Sequence, residues 1–329
     1  MKQRNLGRSG PKVSAVGYGA MSFTNFYGPA TDEGSMQILD ACLEFGITHI
    51  DTANAYGMGR SETVIGDWLR QRKGEVPFTI ATKGAITRDP DRRHNNDPAH
   101  LQEALDASLK RLGVEAIDLY YLHRREPAYE IEEVAETLAG FVKAGKVKAI
   151  GYSEIAPSSL RRAHAVHPVA AVQSEYSLST RSPEMGLVQT CAELGASLVA
   201  FSPVGRGLLT DRPPSPASAA EIDFLKANPR FVEPNISANL AITQKFRDLA
   251  ADMGVATASL AIAWLLHRGE QVLAIPGTRS VEHLREVAAG GSLDLSAEDL
   301  ARIEEILPIG WAHGDRYSVG QWKGPERYC

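Results

Sequence analysis

Short apolar segments alternate with longer amphipathic segments along almost the whole chain. The apolar segments are rich in Val, Ile, Leu, Ala and Tyr, and they mostly lack the strict alternation with polar residues that marks a half-exposed strand. Strands that are buried on both faces, as in a parallel sheet covered by helices, have this composition. The pattern predicts eight strands, at residues 16–19, 47–52, 78–83, 118–123, 148–153, 170–174, 197–202 and 272–276.

The segments between these strands have apolar residues at the three- and four-residue spacing of helices with one buried face. Residues 33–45 form such a pattern, and Gly46 stands where a helix ends. Pro98–Leu112 forms another and follows Asp97, a good N-cap residue. A third helix is predicted at residues 131–144. Strands that alternate with helices in this way predict a parallel sheet.

Eight parallel strands fit either a closed (β/α)8 barrel or an open doubly wound sheet. An open dinucleotide-binding sheet normally carries Gly-x-Gly-x-x-Gly after its first strand. Here the first predicted strand continues as Gly17-Tyr18-Gly19-Ala20-Met21-Ser22, which lacks the third glycine. The sequence therefore favours a (β/α)8 TIM barrel, and we expect residues 1–329 to form a single domain.

Two regions depart from this repeat. Residues 205–236 contain several prolines and predict a long loop after the seventh strand of the barrel. Long loops in compact domains are often functional, and a lid over an active site is a common case. Residues 307–329 are polar and aromatic without helical periodicity, so we expect an irregular C-terminal tail.

Composition narrows the functional classes. The chain has 329 residues, of which 23% are charged, and a formal net charge of −5 with no long run of one sign. Nucleic acids and anionic membrane surfaces attract dense patches of Lys and Arg, so we expect neither partner. We see no signal sequence at the N-terminus and no apolar stretch of about 18 residues that would suggest a transmembrane helix.

The cysteines indicate a reducing compartment. Cys42, Cys191 and Cys329 are odd in number and widely spaced, and no two of them form a Cys-x-x-Cys pair. Neither a disulfide framework nor a cysteine zinc site is expected from this distribution. A cytoplasmic location is the prediction.

Three successive predicted strands lead into side chains that can carry chemistry. The second strand contains Asp51, and Tyr56 follows five residues later. The next strand ends at Lys83, and the one after it ends at His123. Active sites of (β/α)8 barrels lie at the C-terminal ends of the strands, so these four side chains are expected to meet there.

These four groups together suit the reduction of a carbonyl. Hydride addition makes an alkoxide that needs a proton, and tyrosine, whose ordinary pKa is about 10, is a better donor when a nearby ammonium stabilises the phenolate. Tyr56 would be the general acid, Lys83 the ammonium and Asp51 its support, while His123 would orient the carbonyl oxygen. No side chain supplies a hydride, so a nicotinamide cofactor is required.

At this point the chain resembles the aldo-keto reductases, in particular their bacterial and plant-type single-domain branch. The resemblance covers nearly the whole chain. The matching motifs are, in order, Asp51-Thr52-Ala53, Tyr56-Gly57, Ser61-Glu62, Lys83, Leu122-His123-Arg124, Gly151-Tyr152-Ser153-Glu154, Gln173-Ser174-Glu175-Tyr176-Ser177, Ser202-Pro203-Val204-Gly205-Arg206-Gly207-Leu208-Leu209 and Ile275-Pro276-Gly277-Thr278-Arg279.

The resemblance implies NADPH-dependent reduction of aldehydes or ketones, with Asp51, Tyr56, Lys83 and His123 as the catalytic tetrad. It also implies that the cofactor is NADPH or NADP+, with NADH less favoured, that no metal is involved, and that the partner is a small carbonyl or alcohol substrate. The residues that the resemblance assigns to the cofactor are Gly19, Ala20, Met21, Asp51, Ser153, Gln173, Phe201, Ser202, Pro203, Val204, Gly205, Arg206, Gly207, Gly277, Thr278, Arg279, His283, Glu286 and Val287.

Some of these positions carry a specific expectation. Ser153 and Gln173 match residues that hydrogen-bond the nicotinamide carboxamide, and Phe201 stands where the family usually has a tyrosine under the ring. Arg279 would pair with the 2'-phosphate of NADPH, although an ordinary surface arginine is the alternative. Val287 replaces an asparagine that often contacts the adenine.

The substrate side is less defined by sequence. Arg124-Arg125-Glu126-Pro127 is unusually charged and should lie at the rim of the substrate pocket, facing either the substrate or water. Met21, Phe23, Tyr27, Met58, Trp311 and Tyr317 are further pocket candidates, each of which fits a packing role equally well.

Two other functional classes make different demands on the sequence. An NADPH-binding regulatory or channel-associated subunit with weak turnover is compatible with an intact tetrad. A metal-dependent barrel hydrolase would need a His-x-His or carboxylate cluster on its first strand, and the sequence around Gly17 and Gly19 has none. The substrate, the favoured direction and the oligomeric state, monomer or homo-oligomer, are left open.

Overall fold

The computed structural model describes residues 1–73 and 75–328, so Cys329 lies outside the described residues. The chain begins with an antiparallel hairpin, β1 (Gln3–Asn5) and β2 (Lys12–Ser14), which the apolar pattern did not predict. The hairpin covers the end of the barrel where the strands begin, since the Gly7 amide donates to Ser197 Oγ at 2.8 Å. Its strands are too short to stand out from a sequence pattern.

The predicted (β/α)8 barrel is confirmed. Eight parallel strands follow one another in chain order within a single sheet, and a parallel bridge between Val16 and Ala274 joins its two ends. The strands are β3 (Tyr18–Gly19), β4 (His49–Asp51), β5 (Thr79–Gly84), β6 (Leu119–Leu122), β7 (Ile150–Ser153), β8 (Val169–Glu175), β9 (Ser197–Phe201) and β10 (Val272–Ala274). The ends of each strand lie within two residues of the predicted ends. The two strands that close the barrel, β3 and β10, are shorter than predicted.

Helices separate these strands and pack around the barrel. The helices of the described residues are α1 (Asp32–Glu44), α2 (Arg60–Gln71), α3 (Pro98–Leu112), α4 (Ile131–Lys143), α5 (Pro157–Val166), α6 (Leu187–Leu194), α7 (Pro216–Glu221), α8 (Asp223–Lys226), α9 (Asn235–Asp252), α10 (Thr257–Leu266), α11 (Val281–Gly290) and α12 (Ala297–Ile306).

Local signals explain where some helices begin and end. Asp97 caps α3 as predicted, accepting a hydrogen bond from the Ala99 amide at 2.9 Å. The α1 helix stops shortly before Gly46, whose φ of +72° suits glycine. The apolar faces of the helices and the outer faces of the strands form one large core in which Trp264 is completely buried.

The two irregular regions were also predicted correctly. The loop after β9 contains the short helices α7 and α8 and the single 3-10 turns Gly205–Gly207 and Pro229–Phe231, and residues 307–328 form no helix or strand. The tail is nevertheless held on the barrel, because Trp311 donates from its indole to the Leu178 carbonyl at 2.8 Å.

No helix in the described part of the chain is by itself long and apolar enough to cross a membrane. The pair α9 and α10 meets the criteria of length and composition only when taken together, across a bend of 92°.

Candidate active site

The four predicted catalytic side chains come together at the C-terminal ends of β4, β5 and β6. Lys83 Nζ donates to a carboxylate oxygen of Asp51 and to the Thr52 carbonyl, the latter at 2.8 Å. The same ammonium lies 3.3 Å from the Tyr56 hydroxyl. Strand register explains the pairing, since β4 and β5 are neighbours whose Asp51 and Ala81 stand side by side.

Burial and neighbouring charges determine the protonation state of Lys83 beside Asp51. Lys83 and Asp51 are both buried, with side-chain exposures of 0% and 1%. Burial alone would lower the pKa of Lys83, but the Asp51 carboxylate and the Tyr56 hydroxyl outweigh it, so this pKa lies above its ordinary value. Gln173 donates to the second oxygen of Asp51 at 2.7 Å. Lys83 is therefore a fixed ammonium beside the tyrosine.

His123 completes the group as a neutral imidazole. Its ring meets the Tyr56 ring edge-on, with centroids 5.8 Å apart. Burial, followed by the positive charges of Arg124 and Lys83, holds the pKa of His123 well below its usual range. Nδ1 of His123 has no hydrogen-bond partner among residues 1–73 and 75–328. An uncharged ring of this kind can donate one hydrogen bond without competing with Tyr56 as an acid.

A tight turn places Tyr56. Gly57, Met58 and Gly59 follow it with φ values of 57°, 58° and 92°, so the chain reverses immediately after the tyrosine. A Cβ on Gly57 would lie 2.9 Å from the Thr24 side chain, which makes glycine necessary at this point. The turn then leads directly into α2.

A cleft of about 1320 Å³ opens above the tetrad and runs to the N-terminal end of α11. Tyr56, Asp51 and His123 line it, while Lys83 lies beneath them. The predicted cofactor residues that also line the cleft are Gly19, Met21, Ser153, Gln173, Phe201, Ser202, Pro203, Val204, Arg206, Gly207, Gly277, Thr278, Arg279, His283, Glu286 and Val287.

Two predicted cofactor residues do not line the cleft. Ala20 is buried, and its carbonyl accepts a hydrogen bond from Ser61 at 2.8 Å. Gly205 is buried within the loop that follows β9, where its φ is +59°. Both therefore shape the cleft through the backbone without facing it.

The loop after β9 has an unusual backbone. Ser202, Gly205, Arg206 and Gly207 have φ values of 51°, 59°, 55° and 97°, a run in which two residues other than glycine adopt the left-handed region. Such positions are strained and tend to be kept at functional sites. The loop thus turns its backbone along the cleft wall.

The Arg206 side chain is not free to meet a ligand charge. It donates to Glu175 at 2.6 Å and to the Arg316 carbonyl at 2.9 Å. Phe224 of α8 and Tyr317 of the tail each lie 5.1 Å from its guanidinium. Arg206 therefore joins the loop, the short helix and the tail, a role that the sequence did not indicate.

The far end of the cleft carries the predicted adenosine residues. Arg279 is exposed, and its guanidinium donates to the Pro29 carbonyl at 3.2 Å. Ser280 caps α11 by accepting from the His283 amide at 3.3 Å. Val287 is 95% buried. As the sequence indicated, it presents an apolar side chain at this position and no amide.

Several lining residues were not predicted. Ile222, Phe224 and Leu225 come from the loop after β9, in which sequence indicated a lid but no contact face. Charged lining residues come from the loops after β5, β6 and β9 and from the tail, and only Arg124 among them was expected at the pocket; they are Arg88, Asp89, Arg93, His94, Arg124, Asp211, Arg212 and Lys323. The charged run after His123 was the one sequence signal that pointed towards this group.

The pocket candidates divide into two sets. Met21, Tyr27 and Tyr317 line the cleft. Phe23 and Trp311 pack in the core instead, and Met58 is 51% exposed away from the cleft. Among the described residues, no group of three or more His, Cys, Asp or Glu side chains is arranged to hold a metal ion.

The chain is similar to known proteins along nearly its whole length. A model of the Aldo/keto reductase family matches residues 15–308. The aldo-keto reductase yakc [NADP(+)] of Schizosaccharomyces pombe is 37% identical over 94% of this chain and 92% of its own length. Probable aldo-keto reductase 1 of Glycine max is 39% identical over 97% and 93%.

A solved structure shows the same likeness in three dimensions. The glycerol dehydrogenase of Gluconobacter oxydans superposes with a TM-score of 0.81 and is 26% identical, covering 93% of this chain and 94% of its own. The match of the family model to most of the chain, the two relatives and the shared barrel lead to one conclusion. This protein belongs to the aldo-keto reductase family.

Proposed function

We propose that this protein is an NADPH-dependent oxidoreductase that reduces the carbonyl of an aldehyde or ketone to an alcohol. The observation that carries the proposal is the Tyr56 hydroxyl, which faces a large cleft and lies 3.3 Å from the buried ammonium of Lys83. Membership of the family and the NADP(+) in the name of the Schizosaccharomyces pombe relative support the same cofactor.

The residues of the cleft fit such a cofactor. Its volume of about 1320 Å³ exceeds the roughly 300–1,000 Å³ of ordinary small-molecule pockets, which leaves room for a dinucleotide and a substrate together. Polar groups stand at the tetrad end, and Arg279 stands at the other end beside the capped start of α11. Cations and helix N-termini are the groups that hold phosphates in proteins.

Individual residues then take individual tasks. Ser153 and Gln173 would hold the carboxamide, Phe201 would support the nicotinamide ring, and residues 202–207 would follow the pyrophosphate. When bound, NADPH supplies the hydride that the side chains lack. Arg279 would pair with the 2'-phosphate, which NADH does not have.

The four residues of the tetrad would together transfer a proton to the carbonyl oxygen. Tyr56 gives its hydroxyl proton to the carbonyl oxygen as negative charge develops there, and the Lys83 ammonium stabilises the phenolate that remains. Asp51 holds Lys83 charged and in place, and Gln173 fixes Asp51 in turn. Neutral His123 orients the carbonyl oxygen by a hydrogen bond.

Replacing Tyr56 by Phe tests the proposal. Aldehyde reduction should fall by at least about a hundredfold, the lower end of what a positioned acid contributes. NADPH binding, measured by fluorescence titration, should stay close to that of the unaltered protein. Tyr129→Phe is the control, because Tyr129 lies outside the cleft and should leave turnover intact.

The outcomes separate the alternatives. Near-normal turnover in the Tyr56 variant would refute the role of Tyr56 as the acid. An unaltered protein that binds NADPH but turns over no aldehyde or ketone would favour a regulatory or channel-associated subunit. We further propose that residues 1–329 act as one domain in the cytoplasm, where a reducing environment suits the buried thiols of Cys42 and Cys191.

A further inference from the structure

Arg124 is a cation held next to the reacting groups. One amino group of its guanidinium, Nη1, donates to the His123 carbonyl at 2.7 Å and to Ser153 Oγ at 2.8 Å. Its other donors, Nε and Nη2, have no protein partner in the described part of the chain, and no carboxylate there lies within ion-pair distance. The side chain is thus fixed at one edge and available at the other.

Two other arginines of this region are already paired with carboxylates. Arg125, the next residue, pairs with Glu326 at 2.8 Å and does not line the cleft. Arg206 lines the cleft but is neutralised by Glu175. Arg124 therefore combines two properties, a place in the cleft wall and a free pair of donors.

The surroundings of Arg124 are positive. Arg88, Arg93 and Lys323 line the same cleft, and their side chains have no ion pair or hydrogen bond with the described residues. A Cβ on Gly324 would lie 2.6 Å from His94 and 3.0 Å from Arg124, so the tail, the loop after β5 and Arg124 are in direct contact.

Nearby acids do not offset this charge. Glu126 is occupied by Arg92 at 2.9 Å and by the Asn96 amide at 2.9 Å. Glu154 is paired with Arg316, and although burial raises its pKa, Arg316 and also Arg124 lower it. Asp89 lines the cleft and accepts from the Asp91 amide at 2.9 Å. Burial, then Arg124 and Arg93, lower the pKa of His94 to about 4, consistent with a positive potential.

From this arrangement we infer that the substrate carries a carboxylate, which binds to the free edge of Arg124. The inference rests on the proposed reduction and adds to it a substrate class, the aldehydes and ketones with an acid group, whose products are hydroxy acids. Nε and Nη2 form the edge of a guanidinium that pairs with both oxygens of a carboxylate. Arg88, Arg93 and Lys323 add attraction without a fixed geometry.

The test compares each acid with its uncharged ester. Succinic semialdehyde and 4-carboxybenzaldehyde, together with their methyl esters, give an aliphatic and an aromatic pair. For the unaltered enzyme, kcat/KM should favour the acid over the ester by about tenfold or more in at least one pair, which corresponds to ~1.4 kcal/mol. Comparing the ratio between variants cancels the difference in intrinsic reactivity.

Arg124→Leu should bring the acid-to-ester ratio to about one or below, mainly through KM for the acid. Arg124→Lys should give an intermediate ratio, because the charge remains but the paired donors are lost. Arg125→Leu is the matched control and should keep the ratio of the unaltered enzyme. Thermal denaturation and NADPH titration of each variant show whether fold and cofactor site are intact.

Each outcome has a meaning. Esters reduced as well as acids by the unaltered enzyme, or an unchanged ratio in Arg124→Leu, would overturn the inference and leave the proposed reduction standing. Equal losses of the ratio in the Arg124 and Arg125 variants would also overturn it, since a general loss of positive charge would then explain the preference. If no carbonyl compound is reduced at all, the proposed function itself fails.

Discussion

At the scale of single residues, three arginines of the cleft show how neighbours decide the role of one side chain. Arg206 forms an ion pair with a buried carboxylate, and Arg124 keeps one edge of its guanidinium free beside His123. Arg279 is exposed at the opposite end of the cleft. The same guanidinium group thus holds a loop at Arg206 and, in the proposed roles, binds a substrate carboxylate at Arg124 and a phosphate at Arg279. The sequence placed all three near the site but could not rank their availability.

The proposed role of Arg279 leads to a prediction about cofactor choice. Arg279→Ala should raise the Kd for NADPH by about tenfold or more, because a charge-assisted pair with the 2'-phosphate is lost, and should leave the Kd for NADH nearly unchanged. Fluorescence titration with both cofactors measures the effect. Arg285→Ala on α11 is the control, since Arg285 stacks on Phe45 outside the cleft. Equal weakening of both cofactors would contradict the assignment.

At the scale of elements, the short helix α8 is held against the cleft by aromatic contacts, and we propose that it acts as a lid. Phe224 packs against Phe26 with ring centroids 5.1 Å apart, and against Tyr27 and Tyr317 at 6.3 Å and 6.4 Å. Its partners belong to the loop after β3 and to the tail, so three separate segments meet over the cleft. A four-residue helix has no stability of its own and depends on these contacts.

Phe224→Ala should therefore loosen the lid and leave the barrel intact. Each aromatic pair contributes about 0.5–1.5 kcal/mol, so we expect the dissociation rate constant of NADPH to rise by about tenfold. Stopped-flow fluorescence measures that rate constant, and circular dichroism during heating follows the barrel. Phe224→Leu should give a smaller increase, because part of the apolar surface remains. An unchanged rate would show that α8 does not cover the cofactor.

At the scale of the whole molecule, a buried charge network joins the tail to the barrel. Glu154 after β7 and Glu175 at the end of β8 are both buried, and Arg316 of the tail donates to Glu154 and lies 3.4 Å from Glu175. Arg206 and Arg230 approach Glu175 from the loop after β9. The irregular tail is thus part of the folded structure and one wall of the cleft.

Removal of Arg316 should test this connection. Arg316→Met leaves two buried carboxylates with fewer partners, so the free energy of unfolding measured in urea should fall by about 3–5 kcal/mol. Glu154→Gln in the same chain should recover part of the loss. Full stability in Arg316→Met would show that the tail contributes little to the fold.

The pH dependence of that loss has a definite sign. Burial raises the pKa of Glu154, but the opposite effect of Arg316 and other partners is larger in total, so the pKa lies below its ordinary value. This contribution to stability is present above the unfolded pKa of about 4.3 and is lost as the pH falls through the folded value. Without Arg316 the pKa of Glu154 should rise, so the difference between variant and unaltered protein should shrink from pH 7 to pH 5.

The sequence by itself determined the barrel and indicated the four candidate catalytic groups. Buried parallel strands need continuous apolar runs, and helices need a three- to four-residue apolar spacing, so both periods are visible along the chain. Asp51, Lys83 and His123 come at or just beyond the C-terminal ends of successive strands, where adjacency in the sheet makes adjacency in space. Tyr56 stands only five residues after Asp51, so the same strand end indicated that it lies in this site.

Only the tertiary structure decided which charged side chains are paired with an opposite charge and which remain available to a ligand. Glu175 neutralises Arg206, and Arg316 reaches Glu154 from a segment that is 162 residues away in sequence. The contact between Gly324 and Arg124 likewise depends on the path of an irregular tail. Ion pairs of this kind follow no period along the chain, because they depend on distances set by the closure of the barrel. The free edge of Arg124 therefore became visible only in the folded molecule.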